Sequence, residues 1–147
     1  MTLSSRETVL RALLAKIKAS VPGAADVMRE PLKGQEVPRA GLVIQADGEA
    51  ELLEELLSVR VWTWRRDATA EIYVKADEDS DWRARLDKLV RDLGAALLAD
   101  RTLGGAVDHV QTGSPQIGQE DVTGFPGWAS ALLPISLWYD TADPADG

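Results

Sequence analysis

Three aspartates near the middle of the chain have the spacing that a calcium-binding loop uses for its first ligands. Asp77, Asp79 and Asp81 would occupy positions 1, 3 and 5 of such a loop. The loop also needs a glycine at position 6 and a glutamate at position 12, whereas this sequence has Trp82 and Lys88 there. We therefore interpret the three carboxylates as a solvated approach to the N-terminal end of a helix, where the helix dipole favours negative charge.

A general base that works near neutral pH is most often a histidine, and the chain has a single histidine, His109. It follows Asp108 in a strand-like pattern of residues. No nucleophile elbow accompanies it, because Gly113-Ser114-Pro115 breaks the Gly-x-Ser-x-Gly pattern. We interpret His109 as a surface or interface residue.

The composition excludes several further kinds of site. Because it has no cysteine, the 147-residue chain cannot form disulfides, zinc–thiolate sites or iron–sulfur clusters, and it cannot use a thiol nucleophile. Its 24 acidic and 16 basic side chains give a net charge of -8, which disfavours binding to nucleic-acid phosphates. We predict no catalytic, metal-binding or cofactor-binding residues and no cofactor, and therefore a protein that is not an enzyme.

Two amphipathic helices are predicted to flank the central strands. The first spans about residues 5–20, where apolar side chains recur at three- and four-residue steps from Val9 to Ile17. The second spans about residues 81–99 and has the same periodicity. It contains Gly94, which we expect to pack closely against the sheet, since glycine inside a helix lowers its stability.

A long antiparallel hairpin is the clearest strand pattern. Residues 57–65 and residues 70–76 both alternate between two faces, and Arg66-Asp67-Ala68 is the short connection between them. This reading places Arg65 and Arg66 at the tip of the hairpin. The face of the first strand that carries the tryptophans is either part of the core or a protein-binding surface, since Trp and Arg are both enriched in interfaces.

Further short strands are predicted at residues 42–45, before a turn at Asp47-Gly48, and at residues 106–111 and 131–139. We predict one α+β domain over residues 1–147, with two helices packed on one face of a mostly antiparallel sheet. Residues 142–147 are expected to form a flexible tail.

The sequence resembles the bacteriophage tail terminator proteins, the ring-forming caps of long-tailed phages and prophage-like particles. The resemblance covers nearly the whole chain and rests on residues 42–48, 62–74, 97–108 and 139–144. In similar sequences a helix end of the form Ala-Asp-Arg-Thr-Leu-Gly-Gly, here residues 99–105, leads into the next strand. The loop at residues 123–131 departs from the pattern, because it carries Phe125-Pro126-Gly127-Trp128 where similar sequences are plainer.

The resemblance implies a hexameric ring that binds the end of the tail tube, stops its polymerisation and forms the joint to a head-side connector. The implied partners are further copies of the chain, the tail tube protein and the connector, with DNA passing through as cargo and no membrane involved. The implied location is the tail or neck of a virion or phage-like particle assembled in a bacterial cytoplasm. Two other readings remain open: a small-molecule-binding or enzymatic α+β domain, and another neck or tube protein of such a particle.

Within this reading, ten residues are the candidates for contact with subunits or tube. They comprise the hairpin face and its tip, an acidic stretch, and a tryptophan in a glycine- and proline-rich loop. They are Arg60, Trp62, Trp64, Arg65 and Arg66, then Glu49, Glu51, Glu54 and Glu55, then Trp128.

The negative charge is unevenly distributed along the chain. Residues 41–81 and 102–147 hold the acidic excess, whereas the two helical regions are mildly basic. If part of the sheet lines a channel, we expect this charge to repel passing DNA and keep it mobile.

Overall fold

The computed structural model describes residues 2–21, 25–29, 41–76, 81–118 and 128–147. The aspartates Asp77 and Asp79 and the loop residues 123–127 lie outside these ranges. The described elements are, in chain order, α1 (Ser5–Ser20), β1 (Asp26–Arg29), β2 (Leu42–Leu56), β3 (Val61–Lys75), α2 (Trp82–Ala99), β4 (His109–Thr112), β5 (Gln116–Gly118), β6 (Trp128–Thr141) and a final 3-10 turn (Pro144–Asp146).

The strands form one sheet, in the order β1-β2-β3-β6-β4, with β5 also paired to β6. β1 runs parallel to β2, and the other pairs are antiparallel. The long strands β2, β3 and β6 make up the body of the sheet. The predicted α+β class and the mostly antiparallel sheet are confirmed.

Both helices bury their apolar stripes against the same face of the sheet. Every second residue of β3 from Arg66 to Val74 is buried, as is every second residue of β6 from Ala129 to Thr141. The apolar residues at these positions form one core with Val9, Leu13 and Ile17 of α1 and with the buried residues of α2. The helical periodicity of the sequence therefore identified both helices and the face that each one buries.

The hairpin is present, but its predicted turn was wrong. Residues 57–60 form the turn, and Arg66-Asp67-Ala68 lies in the middle of β3, opposite β2 on one side and β6 on the other. Arg66 and Ala68 continue the buried face of β3, and Asp67 continues its exposed face. The alternation of buried and exposed residues therefore continues through Arg66-Asp67 without interruption. Arg65 and Arg66 are not at the tip of the hairpin.

The predicted turn at Asp47-Gly48 is a β-bulge instead. β2 continues through it to Leu56, and its register against β3 shifts between Ala46 and Glu49. Gly48 has a φ of 63°, a left-handed conformation that glycine adopts readily and that is typical of bulges as well as turns.

The bulge is joined to α1 by charged side chains. The Arg29 guanidinium binds both carboxylate oxygens of Asp47, at 2.8 and 2.7 Å, and both carboxylate oxygens of Glu7, at 2.7 and 3.0 Å. Arg11 donates a further bond of 2.9 Å to Glu7. Hydrogen bonds from Arg29 and Arg11 lower the pKa of Glu7 from 4.5 to about 2.

The substitution Glu7→Gln is expected to lower the free energy of unfolding by about 1–2 kcal/mol at pH 7, because it removes a partly screened ionic network. The folded-state pKa of Glu7 is depressed, so its contribution is complete above pH 4.5 and is lost as the pH falls towards 2. Urea denaturation of both proteins across this range should show their difference shrinking with acidification. Glu54→Gln, at an exposed position outside the network, is the control and should change stability by less than about 0.5 kcal/mol.

Candidate interaction surface

The distal part of the hairpin is the most exposed part of the sheet. We call residues 49–65 the arm. All ten residues from Glu51 to Arg60 are exposed. In the described part of the chain, β1 pairs with β2 only as far as Gln45, and from Ala46 to Leu56 the neighbour of β2 is β3. Along this second stretch, the edge of β2 that faces away from β3 is open to backbone hydrogen bonding.

Large apolar side chains are concentrated on the arm. Leu57 and Val59 in the turn are 69% and 63% exposed, and three further leucines of the arm are more than two-fifths exposed: Leu52, Leu53 and Leu56. Exposed apolar groups that cluster in this way are typical of a surface that is covered in an assembly. These five residues were not predicted as contact residues, because the turn was predicted nine residues too late along the chain. The apolar pair Leu56-Leu57 next to the acidic stretch is the sequence signal that could have identified them.

The predicted acidic stretch lies on β2 within the arm. The register places Glu49, Glu51 and Glu54 on the sheet face away from the helices, and Glu55 on the helix side. Glu51 forms a 2.7 Å salt bridge with Arg65, and Glu55 accepts a 3.0 Å hydrogen bond from Trp62 Nε1. The structure therefore pairs Glu51 with Arg65 on one face of the arm and Glu55 with Trp62 on the other.

The two hairpin tryptophans share the helix-side face but differ in surroundings. Trp64 packs against the margin of the core, donates a 3.0 Å hydrogen bond to Thr141 Oγ1, and is contacted by Gly147. Arg6 of α1 donates to the carbonyl of Gly147 at 2.9 Å. Trp64 is thus partly covered by the chain's own last residues, whereas Trp62 lies farther out on the arm.

The three arginines predicted for the hairpin occupy three different environments. Arg60 is exposed in the turn, with a φ of 52°. Arg65 lies in mid-strand on the outer face. Arg66 is only 6% exposed and donates to Tyr139 Oη at 3.1 Å and to the carbonyls of Asp47 and Gly48 at 3.3 and 3.0 Å. These bonds join β3 to β2 and to β6 at the base of the arm, and we therefore call Arg66 the anchor of the arm.

Trp128 lies far from the arm. It is the first residue of β6 and is paired with Lys75, whereas Trp62 is paired with Thr141 at the other end of the same strands. Thirteen residue-to-residue steps along β6 join Trp128 to Thr141, which is about 40 Å of extended chain. Trp128 packs edge-to-face on Tyr73, with 6.4 Å between ring centroids, beside the buried Leu42 and Ile44.

His109 also lies on the outer face of the sheet, where its ring packs against that of Trp138, with centroids 5.2 Å apart. Burial raises the pKa of its neighbour Asp108, and the nearby Asp140 raises it further. Across the part of the chain that the structure describes, no three His, Asp or Glu side chains converge in a way that could hold a metal ion, and none of the described helices is long and apolar enough to span a membrane.

Comparison with known proteins gives a match in fold. No family model matches the sequence, and no curated protein matches it. A solved structure of the sheath/tube terminator of PVC, an extracellular contractile injection system, in its extended state, superposes with a TM-score of 0.52 over 97% of this chain, at 9% sequence identity. The chain spans 59% of that terminator's length.

This chain shares its fold with a sheath/tube terminator. The α+β fold that the sequence resemblance implies is thus also the fold of a terminator of known structure. A second solved chain aligns with 92% of this chain and over 91% of its own length, at 19% sequence identity and a TM-score of 0.48.

Proposed function

We propose that this chain is a structural ring protein that caps a phage-type tail tube, stops its polymerisation and forms the joint to a head-side connector. The observation that carries the proposal is the fold shared with a contractile-system terminator over 97% of the chain. The proposed mechanism is steric: the protein acts by contacts between subunits and with the tube, and it performs no chemical reaction.

The arm supports this proposal independently of the comparison. A ring subunit must cover apolar surface on its neighbours or on the tube, and the arm offers five exposed aliphatic side chains with acidic groups around them. Interfaces commonly have such an apolar centre and a polar rim. We propose the arm, including Glu49, Glu51, Glu54, Glu55, Arg60, Trp62 and Arg65, as the main contact surface of the assembled ring.

Electron microscopy of particles produced with and without this chain tests the proposal. If the protein ends polymerisation, tails assembled in its absence should have tubes longer than those of the wild type, with a broad length distribution. Supplying the wild-type chain should restore the uniform length. Tubes of normal length and normal attachment to heads in its absence would contradict the proposed function.

A further inference from the structure

A pocket lies on the outer face of the sheet, the face away from the helices, where β3, β6 and β5 run side by side. It has a volume of about 320 Å³, and we call it the outer pocket. Two rows of residues that are paired across these three strands line it: Tyr73, Ser130 and Gly118, then Glu71, Leu132 and Gln116.

The small residues of the first row make the outer pocket hollow. Gly118 has no side chain and Ser130 has a short one, whereas longer side chains stand beside them on the same face of the sheet. The lining includes a carboxylate, a phenol, a hydroxyl and an amide group. Polar groups that converge on a hollow in this way suit a polar or charged ligand group.

Glu71 is the charged residue among those that line the outer pocket. Its Oε2 accepts a part-buried hydrogen bond of 2.9 Å from Tyr73 Oη, which fixes the position of the carboxylate. The register gives it two apolar cross-strand neighbours, Ile44 and Leu132, and it forms no salt bridge within the described ranges of the chain. A carboxylate that is partly withdrawn from water and has no counter-ion favours the approach of a cation.

The other polar groups of the outer pocket favour a guanidinium over an ammonium group. The Ser130 hydroxyl and the Gln116 amide oxygen can both accept hydrogen bonds beside the carboxylate. A guanidinium has five donors in one plane, so it can bind a carboxylate along one edge and further acceptors along another, whereas an ammonium group acts as a compact point charge. The aliphatic stem of an arginine would lie along Leu132, as such stems do on apolar surface.

The cation has to come from another molecule. Arg65 shares the outer face of β3 with Glu71, but it lies six residues away, which is about 20 Å of strand, and it is paired with Glu51. The outer pocket is also distinct from the arm, since nine residue-to-residue steps along β3 join Trp62 to Glu71, which is about 30 Å.

We propose that the outer pocket is a docking site for an arginine side chain of a partner protein, with the guanidinium on Glu71 and the stem along Leu132. This inference rests on the proposed function in one respect, that the chain works in an assembly with partner proteins. It gives that assembly a second contact site, separate from the arm.

Titration with the blocked tripeptide Gly-Arg-Gly tests the site, with the amide chemical shifts of Gly118 and Ala131 as the measure of binding. Glu71→Gln removes the charge but keeps an acceptor for Tyr73, and Ser130→Leu fills the hollow. Neither residue is buried, so both variants should melt close to the temperature of the wild type. Asp87→Asn removes an exposed carboxylate from α2, on the other side of the sheet, and is the matched control.

The arginine peptide should cause saturable shifts in the wild type and in Asp87→Asn, and its affinity should be at least about tenfold lower in Glu71→Gln and in Ser130→Leu. The same peptide with citrulline, the neutral isostere of arginine, should bind the wild type at least about tenfold more weakly, and a lysine peptide should also bind more weakly than the arginine peptide.

Three results would overturn the site while leaving the ring function in place: no saturable shift with the arginine peptide, equal binding of the citrulline or lysine peptide, or unchanged affinity in Glu71→Gln or Ser130→Leu. Tubes of normal length in particles that lack this chain would overturn the ring function without changing the result of the peptide titration.

Discussion

Replacing Arg66 with methionine is expected to lower the free energy of unfolding by about 3 kcal/mol. The side chain is 6% exposed and donates hydrogen bonds to Tyr139 Oη and to the carbonyls of Asp47 and Gly48. Methionine fills a similar volume but removes one buried bond, to Tyr139 Oη, and two part-buried bonds, to the carbonyls of Asp47 and Gly48. Loss of a partner costs about 1–3 kcal/mol for a buried group and less for a group that water can reach. Urea denaturation followed by tryptophan fluorescence would measure the change.

Arg65→Met is the matched control for this prediction. Arg65 is the preceding residue of the same strand, but its side chain is 35% exposed and pairs with Glu51, which is 61% exposed. Exposed ion pairs contribute little, so the control should lose less than about 1 kcal/mol. Equal losses in the two variants would show that Arg66 is not the anchor described above.

Replacing Gly48 with alanine is expected to cost about 3 kcal/mol or more. A Cβ at this position would come within 1.8 Å of the carbonyl oxygen of Asp67, and the φ of Gly48 is +63°. A left-handed conformation costs a residue with a side chain about 1–2 kcal/mol, and the clash with the opposite strand forces a shift of the bulge in addition. The shift would also displace the Gly48 carbonyl from Arg66.

Gly104→Ala separates the two causes. Gly104 has a φ of +70°, but a Cβ there would meet nothing within 4 Å. This variant should therefore lose only the conformational part, about 1–2 kcal/mol. If Gly48→Ala were no more destabilising than Gly104→Ala, close packing of the bulge against β3 would be refuted.

Both predictions concern the base of the arm, where α1, β1, β2, β3 and β6 are joined. The side chain of Asp47 binds Arg29, and its backbone carbonyl binds Arg66, which in turn reaches Tyr139. Because these bonds join the elements at the base of the arm, Arg66 stabilises the part of the fold from which the proposed contact surface extends. We therefore expect Arg66→Glu to act mainly on folding, by leaving a negative charge in a buried site.

The helices could be predicted from the sequence because one periodic pattern determines each of them. The apolar steps from Val9 to Ile17 and from Leu86 to Leu97 are sustained over several turns, and no other element has this period. The structure confirms both. It also shows that Ser4 caps the first helix, where its side chain accepts a hydrogen bond from the backbone of Glu7.

The turn of the hairpin could not be located in the same way. Asp47-Gly48 and Arg66-Asp67 are both typical of turns, but each lies inside a long strand, and they come to lie beside one another when β2 pairs with β3. Only the register of the two strands distinguishes a bulge from a turn at such residues. Because the turn was predicted in the wrong place, Arg66 was predicted at an exposed hairpin tip, and the exposed Leu57 and Val59 of the actual turn were not recognised.

The candidate contact residues that were chosen from the sequence lie together only in part. The acidic stretch and Trp62 do lie together on the arm, whereas Trp128 lies at the far end of β6. The expectation that Gly94 packs closely against the sheet is wrong, because a Cβ added there would meet nothing within 4 Å. The surroundings of Gly94 depend on how α2 sits beside β4, two elements that the sequence pattern does not relate. The assignment of the arm residues to subunit or tube contact stays a prediction, as does the expectation that acidic residues facing a channel keep DNA mobile.

The mass of the wild-type protein in solution at micromolar concentration, measured with and without tail tube of the same particle, tests the central claim most directly. The account predicts a closed assembly, about six times the 15.9 kDa of one chain, either alone or when tube ends are supplied. A single species of 15.9 kDa under both conditions, with no protein bound to the tube, would contradict it.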